Sequence, residues 1–261
     1  MIDSTRFDLI KRKHGAYASW AVWAPPTGGP KSNVGDLKVL DPQANPRLLK
    51  TLNPAVVMVG LNIARDFQNE PFRNFHDPSP CANDFKIRFA FRDTPYWGAY
   101  MTDVIKGYVA PESGQLLDYL RAHPQFVVDH VESLRAELLD LGHPRPMILA
   151  FGGAAYSLLE QNLSRGDYSL LVKLTHYSHR ISQEKYRVAV HEEIVGAQLW
   201  EAIEPVVRQR ILSNVWCGEC GMAVSVVEWT VRARGDSLIV TGKCKRCRSK
   251  VRRFVENATE D

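Results

Sequence analysis

The sequence predicts an α/β protein: a three-layer α/β/α domain with a mostly parallel central sheet over residues 1–212, then a small β-rich module over residues 213–261. Three observations carry this. Short continuous apolar runs that end in polar or glycine residues alternate with segments of helical spacing, the pattern of strands buried on both faces between crossover helices. The composition changes near Ser213, after which apolar residues alternate around turns. Four of the five cysteines lie beyond that point, as two CxxC pairs.

Residues 1–50 contain WAPPTGGPKSNVGD, dense in turn formers, and read as irregular. PAVVMVGLN, Pro54 to Asn62, is a buried strand whose C-terminal end opens into a loop. PESGQLLDYLRAHP and FVVDHVESLRAELLDLG have helical spacing, and VIKGY, after Asp103, looks like the start of another helix. PMILAFGG, Pro146 to Gly153, followed by AAYSLLEQNL, reads as strand, tight turn and helix. YSLLVKLTH, Tyr168 to His176, is a third strand, and EEIVGAQLWEAIEPVVRQRIL a late helix. Alternation of this kind places a functional site at the C-terminal ends of the strands.

With 261 residues, 45% apolar, 24% charged and 10% aromatic, the chain is neither disordered nor collagen-like nor a coiled coil. Its longest apolar runs fall far short of the roughly 18 residues of a membrane helix. The start MIDSTRFDLIKRKHG lacks the apolar region of a signal peptide, so a soluble, cytoplasmic protein is expected, with no membrane partner. Charge is uneven: residues 211–254 hold nine Lys or Arg against three acids, +6 within a chain of net +4. That asymmetry fits an anionic partner such as nucleic acid, or a solvated basic surface.

Cys217 and Cys220 are separated from Cys244 and Cys247 by 23 residues with a hairpin pattern. Two knuckles of two thiolates supply the tetrahedral sulfur set that zinc favours, closed to catalysis and able to hold a segment too short to bury its own core. A structural zinc is expected and no catalytic cofactor; redox thiols or an iron centre are the alternatives. The module resembles a zinc ribbon, a class that binds nucleic acid or protein. Cys81, in HDPSPCAND, reads as a loop or packing cysteine.

Within the first domain, VMVGLNIARDF, WGAYMTDVIK, LAFGGAAYSLL and LTHYSH follow one another in that order. Together they resemble the motifs of the uracil-DNA glycosylase superfamily over roughly residues 54–182. The resemblance places Asn62 on the catalytic, water-orienting position. It places His176 and Ser178 on the His and Ser of the His-Pro-Ser-Pro loop, and Arg180 where a side chain fills the gap left by a flipped base. Phe75 falls on the stacking aromatic, and Asp103 on a base-reading position that is Asn in uracil-specific members. Ile63, Tyr177 and His179 stand where the family has proline.

The implied chemistry is base flipping and hydrolysis of the N-glycosidic bond, with DNA as partner, in nucleoid-associated repair or in defence against phage DNA. No lysine nucleophile stands at a motif position, so a monofunctional enzyme is expected. His176 donates to the carbonyl oxygen of the departing base. An ionised Asp103 only accepts, which suits the exocyclic amino group of a cytosine-type base better than the O4 of uracil. Plainer readings stand beside these: Asn62 as a turn or cap residue, Asp103 as a helix cap or partner of Lys106, His176 as an ordinary histidine, Phe75 as core. Arg65, Arg73, Arg88 and Arg92 are candidates for phosphate contact or plain solvation. A catalytically inactive nucleic-acid-binding protein of the same fold is the alternative function, and a nucleotide-binding enzyme using Gly152 and Gly153 ranks last.

Overall fold

The computed structural model describes residues 2–63, 65, 70–109, 113–143 and 145–256. The chain divides into two compact units, Met1–Arg187 and Val188–Asp261.

The first unit is built on a five-stranded sheet. Its strands are β1 (Ser19–Trp20), β2 (Asn53–Asn62), β3 (Ala99–Ile105), β4 (Met147–Phe151) and β5 (Leu170–Leu174), in the order β1-β3-β2-β4-β5. All pairs are parallel except the short β1, which runs antiparallel along β3. The accompanying helices are α1 (Ser4–His14), α2 (Leu48–Thr51), α3 (Asp84–Phe91), α4 (Ser113–Ala122), α5 (Pro124–Asp140) and α6 (Gly152–Asn162). The core joins Val57 and Val59 of β2, Tyr100 and Val104 of β3, and Ile148 and Ala150 of β4 with Leu134 and Leu138 of α5 and Leu159 of α6. The α/β class with a mostly parallel sheet is thus the one expected.

Four expectations change, two of them in the first unit. The first fifty residues are not wholly irregular: α1 begins where the Asp3 side chain accepts the Arg6 N–H, and it buries Phe7 and Ile10. The helix-like VIKGY begins instead as β3, all seven of whose residues are buried. Thr102 and Asp103 interrupt the apolar run that marks an interior strand, and their burial here is a tertiary effect.

The late helix is two helices, α7 (Gln183–Ala202) and α8 (Pro205–Ser213). Proline at the first position of a helix lacks only an N–H that has no helical partner there, so Pro205 starts α8 where it would have broken a continuous helix. The division between units falls inside α7, ahead of the composition change at Ser213. Its cause is packing within the second unit. There β8 (Val226–Arg234), β9 (Ser237–Cys244) and β10 (Lys250–Val255) form an antiparallel sheet. Leu238 and Val240 of β9 bury against Trp200 of α7 and Ile211 of α8. Gly196 lies so close to β8 that a Cβ there would stand 2.7 Å from Arg232 Cα, and Glu193 pairs with Arg232 at 2.5 Å. A second small sheet pairs β6 (Val215–Cys217) with β7 (Met222–Val224). Among the described residues no helix is long and apolar enough to cross a membrane.

Candidate active site and metal centre

β2 lies between β3, which follows it in sequence, and β4, which comes after β3. The winding therefore reverses at β2, and the carboxyl ends of β2 and β4 border the crevice where open α/β sheets bind ligands. The sequence motifs end there. Gly60 of β2 pairs with Asp103 of β3, Asn62 pairs with Ile105, and Phe151 of β4 pairs with Leu174, two residues before His176.

Successive strand residues point to opposite faces. Tyr100 donates to Glu137 of α5, and Asp103 points the other way, toward the segment carrying Asn74 and Phe75. A Cβ on Gly60 would collide with Asp103 Oδ1 and stand 3.4 Å from Phe75 Cζ, so the glycine is what lets the carboxyl and the ring meet over β2. Asp103 Oδ2 accepts from Asn74 Nδ2 at 2.8 Å. Burial pushes the Asp103 carboxyl up to about 7, against the Asn74 hydrogen bond and the Lys106 charge.

Phe75 has φ 63°, the left-handed region that disfavours a bulky side chain. The conformation is held from both sides: Asn74 Oδ1 accepts the Phe75 N–H at 3.1 Å, and Trp23 Nε1 donates to the Phe75 carbonyl at 3.2 Å. The Phe75 ring meets Phe151 at 6.3 Å and, edge-on, Tyr177 at 6.4 Å; Tyr177 in turn stacks on His176 at 4.4 Å. Phe75, Asp103 and His176 thus belong to one contiguous cluster.

His176 Nδ1 lies 2.7 Å from Ser178 Oγ and accepts the Ser178 N–H at 3.1 Å. That backbone donor leaves the proton of the neutral ring on Nε2. Burial lowers the His176 pKa to about 4, so the ring is neutral at physiological pH. Gly152, at φ 87°, gives it room: a Cβ there would stand 3.2 Å from His176 Cδ2. The loop is anchored by buried Lys86 of α3, whose ammonium donates to the His179 carbonyl at 2.8 Å. Ser178 and Arg180 are exposed on it.

Asn62 sits half-buried at the end of β2, and its Nδ2 donates to the Ile63 carbonyl at 2.9 Å and the Tyr108 carbonyl at 3.3 Å. Ala64 and residues 66–67 of its motif lie outside the described residues. Two of the four candidate arginines serve the fold: buried Arg88 donates to the carbonyls of Ala24, Ser32 and Pro30, and Arg73 holds Glu70 and the Gly35 carbonyl. Arg65 pairs with Asp77 at 3.5 Å, and Arg92 with Asp93 at 3.4 Å. Nothing in the local pattern singles out Asn74, the amide beside Phe75, or Asp84, a buried carboxyl at the start of α3 that burial also pushes to about 7.

The raised carboxyl has a thermodynamic consequence. Between the ordinary aspartate value near 4 and about 7, folded Asp103 keeps a proton that the unfolded chain has lost, so its contribution to stability falls as pH rises through that window. Asp103→Asn keeps an acceptor for Asn74 and does not titrate. Its urea midpoint is expected to match wild type at pH 4 and to exceed it at pH 8 by up to about 4 kcal/mol in stability. Equal shifts at both pH values would refute a raised carboxyl.

In the second unit, the sulfurs of Cys217, Cys220, Cys244 and Cys247 all lie within 4.8 Å of one another. Four thiolates bonded at roughly 2.3 Å to one tetrahedral ion stand about 3.8 Å apart. Cys217 and Cys247 sulfurs are 3.6 Å apart, and Cys220 and Cys244 sulfurs 3.9 Å. The N–H groups of Arg246 and Cys247 donate to Cys244 Sγ at 3.3 and 3.5 Å, and Ser249 Oγ stands 2.9 Å from Cys247 Sγ. Donor type, spacing and second contacts fit a metal ion. Cys81 is exposed and is not a member of this group.

No protein-family model, no curated protein and no solved structure matches this chain.

Proposed function

We propose that the first unit is a monofunctional DNA glycosylase of the uracil-DNA glycosylase type, acting on an amino-bearing, cytosine-type base, and that the second is a structural zinc ribbon that adds affinity for DNA phosphates. The observation that carries the reading is the cluster at the strand ends: an aromatic ring and a buried carboxyl meet over Gly60, and the Tyr177 ring, edge-on to Phe75 and stacked on His176, connects them to a neutral histidine.

Each part has a task. Phe75 stacks on the flipped base, which takes the place of the Tyr177 ring now packed against it. Asp103 reads the exocyclic edge. As the glycosidic bond breaks, negative charge builds on the base carbonyl oxygen, and the Nε2–H of neutral His176 donates to it. A neutral donor does this without passing a full proton to the leaving base. Asn62 orients the attacking water through its amide; an amide is a poor general base, so its share is modest. Ser178 and Arg180, exposed on the same loop, meet phosphate and the gap in the duplex. Zinc held by Cys217, Cys220, Cys244 and Cys247 fixes the fold of the ribbon and takes no part in the reaction.

The test is incubation with duplexes and single strands carrying uracil, cytosine or modified cytosines, followed by alkaline cleavage at abasic sites. Abasic product on a cytosine-type base is expected, lowered about tenfold or more in Asn62→Ala. At pH 8, where the Asp103 carboxyl is ionised, faster release of plain uracil that depends on Asp103 would defeat the assigned base. The inactive-binder reading is favoured by the two carbonyls that the Asn62 amide already serves. Salt-sensitive DNA binding with no abasic product on any substrate would establish it.

A further inference from the structure

We propose that Asn74 and Asp103 form a two-state reader, which accepts a hydrogen bond from an exocyclic amino group in one state and donates one to a carbonyl oxygen in the other. The inference rests on the reading of this site as a base pocket and names what sets its choice of base.

One amide makes three fixed contacts. Asn74 Nδ2 donates both to the Tyr17 carbonyl at 2.7 Å and to Asp103 Oδ2 at 2.8 Å, while Oδ1 accepts the Phe75 N–H. Turning the amide over would set its oxygen against two acceptors, so the orientation is dictated by the partners. Asn74 therefore binds the stacking ring and the reading carboxyl into one rigid piece. It also consumes Oδ2 with a donor. Only Oδ1, lying over Gly60 beside the Phe75 ring, is presented on that side. When the carboxyl is neutral, its proton sits on Oδ1, because Oδ2 already receives the Asn74 N–H.

The groups that face Asp103 keep both states within reach. Burial favours the neutral acid, as do Asp84 from α3 and Glu137 from α5, whereas Lys106 after β3 and the Asn74 hydrogen bond favour the anion. Tyr177, after β5, faces the same carboxyl with a phenol that stays protonated. The balance puts the midpoint at about 7. Below it the site offers an O–H to a carbonyl such as the O4 of uracil; above it the site offers an acceptor to an amino group such as that of cytosine.

Asn74 is accordingly a positioning residue, and its partner carries the switch. The experiment titrates the full chain with free uracil and free cytosine, from pH 6 to pH 8, and measures each dissociation constant. Uracil is expected to weaken about tenfold over that range and cytosine to tighten about tenfold, following the fraction of the carboxyl in the competent state. In Asp103→Asn both slopes should vanish. Asn74→Ala, with Asp103 intact but unanchored, should weaken both bases, a result distinct from a flat pH profile. Affinities independent of pH, binding of neither base, or slopes that persist in Asp103→Asn would overturn the proposal. Opposite slopes without abasic product from any DNA would leave the reader standing and remove the glycosylase chemistry.

Discussion

Replacing Cys244 by serine is expected to abolish metal binding and to unfold the β-rich part of the second unit. The core beneath the knuckles is small: Val215, Val224, Val226 and Val251 pack against the buried Cys217 and Cys244 themselves. Such a core falls well short of offsetting the chain entropy of the five strands that contribute to it. Binding of zinc to a four-cysteine site contributes about 10–16 kcal/mol, far more than any side-chain contact in the unit. The loss should therefore be cooperative over β6–β10, whereas the sheet of the first unit keeps its own core. Native mass spectrometry of the wild type should give one zinc per chain, and a chelator should reproduce the variant. Wild-type secondary structure and thermal stability that persist after metal removal would show that the cysteines are incidental.

His176→Ala is expected to lower the rate of base excision by about 10²–10³-fold while leaving DNA affinity within a few fold. The ring acts on charge that exists only as the bond breaks, so its loss falls on the chemical step. Because Nδ1 is committed to Ser178 and the pKa is held near 4, the rate should show no titration of this histidine above pH 5. Single-turnover measurements from pH 5 to pH 8 decide. An inflection near the ordinary histidine value of about 6.5 that persists in Asp103→Asn, where the carboxyl no longer titrates, would mean that the ring works as a general acid and not as a neutral donor. An effect on binding alone would make it a DNA contact.

Sequence and tertiary structure contributed differently. The strands over Pro54–Asn62, Pro146–Gly153 and Tyr168–His176 were legible because they are apolar runs closed by polar or glycine residues, and the observed strands coincide with them, β2 beginning one residue earlier at Asn53. The four cysteines were legible because chelation constrains spacing within each knuckle, which is local. β3 was not, since Thr102 and Asp103 break its apolar run, and their burial depends on elements far away in the chain, among them the β1 and β2 strands that pair with it. The unit boundary was not either: Trp200 and Gly196 look like ordinary helix residues until β8 and β9 pack against them.

The same division runs through the candidate site. Residue types and their order in the chain nominated Asn62, Phe75, Asp103 and His176, and local pattern placed Asn62 and His176 at the ends of apolar strand runs but missed the strand that carries Asp103. What they do to one another was decided by the fold. Asn74 was invisible because an isolated asparagine carries no periodicity. The protonation of Asp103 and His176 was invisible because it follows from how much water is excluded around them, and exclusion is a property of the packed layers. Chain chemistry set the α/β alternation and the metal-ligand set; the parallel sheet, by bringing distant strand ends into one low-dielectric crevice, set the charge and tautomer on which any chemistry there depends.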